Sequence, residues 1–323
     1  MNNKKRFGIE LLLVSFFLCS CVKQIEVKLN DYNIALVVNS LITPDSLVTV
    51  FVGTTVPILN SEPSYLNNAT VLLWENDLFV DTLNNAANGV YKSSIIPKVG
   101  GIYKIEVAAS NFNTVYAVDT VPEKIIVKDG YYSIIPAINN FNDSYYDYFI
   151  EFEDNRQTEN FYDVAFIGIN YDSFTDSTRI NYNFFVAVAD PIISSEGDLD
   201  YEPITFIFSD ELINGQNYIL HMRLVPIANS ISYAGKLKGL ENGEYVLLKS
   251  ISKNYFEYRK SWIRHYFTQA NGQYVSSLSD LIIDDITGLL FAQDPISMTS
   301  NIENGYGVFA AYNSSFKNLR LVE

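Results

Sequence analysis

In the body of this chain, two histidines and a few acidic clusters are the side chains whose type and spacing invite a chemical reading. His221 lies in Tyr218-Ile219-Leu220-His221-Met222-Arg223, where strand alternation puts it beside Arg223 on the more polar face, and His265 follows Arg264 on a segment of helical period. A metal centre needs several nitrogen, sulfur or carboxylate donors at short spacing. Neither histidine has such a neighbour, so both read as surface or boundary residues. Glu196-Gly197-Asp198-Leu199-Asp200 alternates oxygens as a calcium loop does, but lacks the acidic residue that completes one. Asp284-Asp285 is a bare pair, and a glycoside-cleaving pair is defined by a spatial separation that adjacency does not supply. No Gly-x-Ser-x-Gly elbow, His-Glu-x-x-His helix or phosphate-binding glycine loop occurs. The expectation is therefore no catalytic residue, no metal site and no cofactor.

The remaining reactive atoms are the sulfurs of Cys19 and Cys21, at the end of an N-terminal apolar run. Lys4, Lys5 and Arg6 form a positive head, and residues 9–18 are apolar apart from Glu10 and Ser15. Basic start, hydrophobic middle and small residues at the end make a secretory signal, too short for a membrane-spanning helix of roughly 20 apolar residues. Leu18-Cys19-Ser20-Cys21 resembles the bacterial lipobox, with Leu three before the modified cysteine and a small residue just before it. The Cys21 thiolate is the nucleophile that takes a diacylglyceryl group, so Cys21 is the expected lipid-attachment site and residues 1–20 the signal peptide. Acyl chains anchor at about 0.8 kcal/mol per buried methylene.

The whole chain carries a formal charge of −15. Losing residues 1–20 removes three positive charges and one negative, leaving the rest more acidic still. Such a surface repels nucleic acid and anionic headgroups, so no nucleic-acid partner is expected, and membrane attachment falls to the lipid. With both cysteines in the leader region, the body has no disulfide and no free thiol.

The elements that must carry any site read as strands. Residues 21–32 form a polar tether. Apolar alternation then appears at Ile34, Leu36 and Val38, and at 47–52, 69–74, 78–83, 90–95 and 102–107. Turn residues such as Asn84-Asn85, Asn88-Gly89 and Gly100-Gly101 separate these runs. Short strands at this spacing predict a β-sandwich over 33–120. Val121-Pro122-Glu123 marks a boundary, after which 125–127, 145–152, 161–170, 180–189, 204–208 and 218–225 predict a second β-rich domain over 121–323. Within it, Tyr255, Tyr258, Trp262 and Tyr266 recur at helical spacing, flanked by Ser252 as N-cap and Asn271-Gly272 as stop, which predicts one amphipathic helix near 253–270. The aromatic stripe is read as core rather than as a ligand platform. A strand follows at 307–312, entered through Asn304-Gly305 with φ above zero expected there. The fold class is mainly β: tandem sandwich domains of immunoglobulin or transthyretin type with one C-terminal helix.

Several segments together resemble a family of Bacteroidota lipoproteins, the domain of unknown function 4249. They are the opening strand 34–42, the paired Gly89-Val90-Tyr91 and Gly101-Ile102-Tyr103, the run 149–154 followed by Asn160-Phe161-Tyr162, and Ser209-Asp210-Glu211 with Asn214-Gly215 and Tyr218. Most specific are the segments 252–258 and 300–309. The resemblance implies a lipid-anchored accessory of an outer-membrane TonB-dependent receptor, acting in nutrient uptake, and it implies no catalytic residues. Cys21–Glu26 departs from the pattern in lacking the acidic run that sends lipoproteins to the cell surface in this phylum, so either face of the outer membrane stays open. Asp45-Ser46-Leu47, Asp81-Thr82-Leu83, Asp119-Thr120-Val121 and Asp176-Ser177-Thr178 look like the phylum's O-glycosylation acceptor, or equally like polar turns beside strands. Two other readings stand beside the receptor accessory: a structural or adhesive envelope protein, and a carboxylate-based hydrolase.

Overall fold

Alternating apolar runs become strands when every second side chain can be buried and neighbouring strands satisfy the backbone. The computed structural model describes residues 33–57, 62, 64–136, 144–182, 184–201, 203–226, 230–270 and 296–323. In chain order these form β1 (Leu36–Ile42), β2 (Thr49–Thr54), β3 (Ser64–Tyr65), β4 (Thr70–Glu75), β5 (Leu78–Thr82) and β6 (Asn84–Asn85). Then come β7 (Val90–Lys92), β8 (Ile102–Ala108), β9 (Val115–Thr120), β10 (Val127–Pro136), β11 (Ser144–Glu153), β12 (Phe161–Asp172), β13 (Ser177–Asn181) and β14 (Phe184–Val188). A short helix α1 (Pro191–Ser194) precedes β15 (Phe206–Ser209), β16 (Asn217–Pro226), β17 (Ser230–Ala234) and β18 (Gly243–Ile251). The long helix α2 (Lys253–Ala270), β19 (Tyr306–Asn318) and β20 (Arg320–Leu321) complete the order.

The protein is mainly β, with two sandwich-like pairs of sheets. One large sheet runs β17-β13-β12-β18-β19-β1-β2-β7-β6, with β15 beside β12 and β3 beside β2. The four-stranded sheet β5-β4-β8-β9 packs on its β1–β2 side, and the five-stranded sheet β14-β16-β11-β10-β20 packs on its β12–β18 side. The first core gathers Val38, Val50, Val52, Leu73, Tyr103 and Ile105, all essentially inaccessible. The two Gly-x-Tyr motifs serve it directly. Tyr91 Oη donates to Leu66 O and accepts from Ala69 N, each at 2.9 Å. Tyr103 Oη accepts from Lys98 N at 2.9 Å and donates to Glu75 at 3.0 Å. Each ring fills the core while its hydroxyl ties down a loop, the usual requirement for a buried tyrosine. The second core is aromatic as well, with Tyr148, Phe152, Tyr162, Phe166 and Phe208 buried.

β19 belongs to both sandwiches. Its first half, from Tyr306 to Ala311, pairs in parallel with β1, and its second half, from Tyr312 to Asn318, pairs antiparallel with β18. Ile302, Phe309 and Ala311 thereby complete the first core from the far end of the chain. Gly307 makes the parallel approach feasible: its φ is 113°, and a Cβ there would stand 2.1 Å from Val38 O. Positive φ falls on Asn304 (63°), within the Asn304-Gly305 turn where it is expected, and then on Gly307 rather than on Gly305.

Two other expectations change. The single strand read over 180–189 is two strands in different sheets, β13 beside β12 and β14 beside β16, because the chain crosses from one sheet to the other there. Strands β3, β6, β9, β17, β18 and β20 lay outside the expected set: β6 takes the Asn84-Asn85 read as a turn, and β18 is the central link between β12 and β19. The helix forms over Lys253–Ala270 and packs through Tyr255 and Ile263 onto Phe161, Ile207, Ile251 and Ala310. The aromatic stripe is core at Tyr255, 5% exposed, packs half-buried against it at Tyr258 and Trp262, and leaves it at Tyr266, 59% exposed.

Candidate functional site

Lys260 and Arg264, one turn apart on α2, meet the acidic loop after α1. Lys260 Nζ donates to Glu196 Oε2 at 2.6 Å and to its carbonyl at 3.1 Å, while Arg264 Nε donates to Asp198 Oδ1 at 2.8 Å. Glu196 Oε1 accepts from Ser209 N and Oγ at 2.8 and 3.0 Å. Glu196 therefore clamps the helix to β15, and Asp198 adds a second tie to the helix. Calcium ligation would require those same lone pairs.

Glu196 and Ser209 of this clamp lie in the lining of an open groove of about 780 Å³ at the start of α2. Phe161 from β12 and Phe256 from α2 lie in its lining, their rings 4.7 Å apart and inclined by 33°. The loops 154–160 and 209–216 form the opposite wall and are bolted to each other. Asp154 accepts from Tyr162 Oη at 2.5 Å and from Gly215 N at 2.6 Å. Asp210 Oδ2 accepts from Asn160 N and Nδ2 at 2.9 and 3.2 Å. Burial pushes the Asp210 carboxyl above its ordinary range, with Asp154 and Glu159 adding repulsion and the Asn160 hydrogen bonds opposing. Glu159, Glu211, Glu257, Arg156 and Lys253 supply groups at the rim, where Lys253 Nζ stands 3.8 Å from Glu159. The lining holds five carboxylates against two cations, so the groove disfavours anions and suits neutral polyhydroxyl or cationic ligands. Sequence reasoning missed it because its partners lie far apart in the chain, Asn160 from Asp210 by 50 residues and Phe161 from Phe256 by more still.

His221 lies on the outer face of the five-stranded sheet, on the same face as Arg223. Its ring stacks on Phe149 at 4.4 Å and 4°, and Nε2 is 3.3 Å from Asp147 Oδ1. Arg223 grips both oxygens of Asp147 at 2.7 Å, holding that carboxyl below its usual range. His265 Nδ1 is 2.6 Å from Ile296 O, and so is read as the protonated nitrogen. Among the described residues no group of three His, Cys, Asp or Glu stands close enough to hold a metal ion, and no helix is long and apolar enough to cross a membrane.

Cys21, the tether and Asp284-Asp285 lie outside the described residues. Of the four acceptor-like hydroxyls, Ser46, Thr82 and Thr120 are exposed and Ser177 is half-buried, its Oγ 2.8 Å from Thr175 Oγ1. Two of the preceding aspartates have structural work: Asp81 accepts from Ser93 Oγ and Ser94 N, and Asp119 is buried against Ser252.

Three sheets, their buried cores and a polar groove walled by α2 define a multi-sheet, mainly β protein. The chain belongs to the family described as Domain of unknown function (DUF4249), which matches residues 22–318. No curated protein matches it. Among solved structures, a crystal structure of a variant of BcpA, the major pilin subunit of Bacillus cereus, is 12% identical over 69% of this chain, with a TM-score of 0.17. The alignment spans 65% of that subunit's length, and at this score it adds nothing to the fold described above.

Proposed function

We propose that this protein is a lipid-anchored binding lipoprotein of the outer membrane, tethered through Cys21, that serves as accessory to a TonB-dependent receptor in nutrient uptake. The observation that carries the binding half is the groove at the start of α2. It is open, roomy enough for a small oligomeric ligand, and walled by loops that hydrogen bonds hold in place before any ligand arrives. Preorganisation of this kind lowers the ordering cost of binding. The anchor and the receptor are what the lipobox and the family resemblance imply, and the acidic body supports the anchor by leaving the lipid as the sole attraction to an anionic bilayer.

Purification of the lipidated protein from membranes extracted in a non-ionic detergent tests the reading. The expected result is co-recovery of a TonB-dependent barrel, identified by mass spectrometry. Recovery without any barrel protein across growth conditions would overturn it.

A further inference from the structure

At the other end of the second sandwich, away from α2, stands a carboxylate with no counter-charge among the described residues. Glu244 is the second residue of β18 and pairs in register with Gly168 of β12. Its Oε2 accepts from Tyr148 Oη, across the sandwich on β11, at 2.9 Å. Tyr132 lies opposite Tyr148 in register and Tyr146 two residues along, so three phenol rings crowd towards the same carboxylate, their centroids 6.0 to 6.1 Å apart. Tyr148 is fully buried, whereas Tyr132, Tyr146 and Glu244 are half-exposed, which leaves the cluster reachable from solvent. Among the described residues no ion pair to Glu244 and no hydrogen bond to the phenols of Tyr132 or Tyr146 is found. Every Lys and Arg from residue 33 onward is among the described residues, so the rest of the body holds no cation to fill the place.

Gly168 is the second half of the observation. β12 is otherwise rich in buried large side chains, yet opposite Glu244 it carries none, and a Cβ there would come within 3.0 Å of Oε1 and 3.3 Å of Oε2. Glycine thus leaves β12 without a side chain beside the carboxylate, between Glu244 and Asn181 Cβ, which stands 3.4 Å from the same Cβ position. A partly desolvated carboxylate without a partner is costly, and a bound cation removes that cost. Phenol rings favour the same charge through their electron-rich faces and hydroxyl oxygens. A single carboxylate with phenols supplies too few hard oxygens for calcium, which takes six or more.

We propose that Glu244, Tyr132, Tyr146 and Tyr148, with the gap at Gly168, form a binding site for an organic cation: an alkylammonium or guanidinium group, free or on the side chain of a larger ligand. The site is separate from the groove and does not depend on the receptor.

Calorimetric titration of the full-length protein in non-ionic detergent tests this, with n-butylammonium and n-butylguanidinium as probes and n-butanol and calcium chloride as controls. Saturable binding of the two cations is expected, with n-butanol at least tenfold weaker. Glu244→Gln, which keeps an acceptor for Tyr148, should weaken the cations at least tenfold while leaving the thermal midpoint close to wild type. Gly168→Ala should weaken them as well. Equal affinity for butanol and butylammonium, or unchanged cation affinity in a folded Glu244→Gln protein, would sink the proposal. Tight calcium binding lost in Glu244→Gln would equally overturn it, in favour of a metal site.

Discussion

Ser252 Oγ donates to Asp119 Oδ2 at 2.5 Å, joining residues 133 positions apart in the chain. The same oxygen accepts from Tyr255 N and Ala311 N, both at 3.2 Å, so one hydroxyl caps α2, braces β19 and meets the end of β9. The N-cap visible in the sequence is therefore also the bolt between the first sandwich and the helix that walls the groove. An N-cap contributes about 1 kcal/mol by itself. Here the acceptor carboxylate is buried, which gives the joint a pH dependence.

Burial pushes the Asp119 carboxyl from its ordinary 3.8 to about 6, against the opposing hydrogen bonds from Ser252 and Thr120. The folded state thus holds this proton more tightly than the unfolded state does. The sign follows: the contribution is fully present below about pH 4 and is lost as pH rises through 6. The loss is on the order of 3 kcal/mol at about 1.4 kcal/mol per pKa unit. Denaturant midpoints measured from pH 4 to 7 should fall less steeply in Asp119→Asn than in the wild type, and the variant should be the more stable at pH 7. Parallel curves for the two proteins would refute the assignment.

Asp163, 2% exposed, meets Lys249 Nζ at 3.2 Å and Tyr255 Oη at 3.1 Å beneath α2. Removing the carboxylate strands a largely buried ammonium, so Asp163→Ala should destabilise by about 3–5 kcal/mol. Adding Lys249→Met should recover part of that loss, because the stranded charge goes with it. A double-mutant cycle in urea reads the coupling, and strict additivity would contradict the pair.

Gly307→Ala should cost on the order of 3 kcal/mol, combining a disfavoured backbone conformation with a collision against Val38 O that pushes β1 and β19 apart. Gly100→Ala makes a useful comparison: its φ is 74°, yet nothing lies within 4 Å of the added methyl. A thermal midpoint lowered equally in both variants would show that conformation alone, not strand approach, matters at Gly307.

Cys21→Ser should move the protein from the membrane fraction to the soluble fraction, since the acidic body has no attraction of its own to an anionic surface. Intact mass should then lack the acyl increment. Persistent membrane association in the serine variant would indicate some other attachment.

Local pattern carried a good deal of the fold. Alternation in 34–42, 102–107 and 218–225 marks strands because each buries every second residue on one face. Helical spacing from Tyr255 onward, with Ser252 ahead of it, marks α2. The same local rules miss β18, where Val246, Leu248 and Ser250 are buried on one face and Leu247 and Lys249 half-buried on the other, so polarity does not alternate cleanly. They also merge β13 and β14, since periodicity reports that a segment is extended but not which sheet it joins.

What the sequence by itself determined is composition-bound and local: a thiol-free acidic body, a predominance of strands, one capped helix, and the absence of the familiar catalytic motifs. Which distant pieces touch was decided by the tertiary structure alone. β19 closing both sandwiches, Lys260 reaching Glu196, Asn160 bolting to Asp210 and Glu244 facing three tyrosines all join positions tens to hundreds of residues apart. Short-range preferences act over a few bonds, whereas a groove or a charge cluster exists only after packed cores have set the sheets that carry its parts.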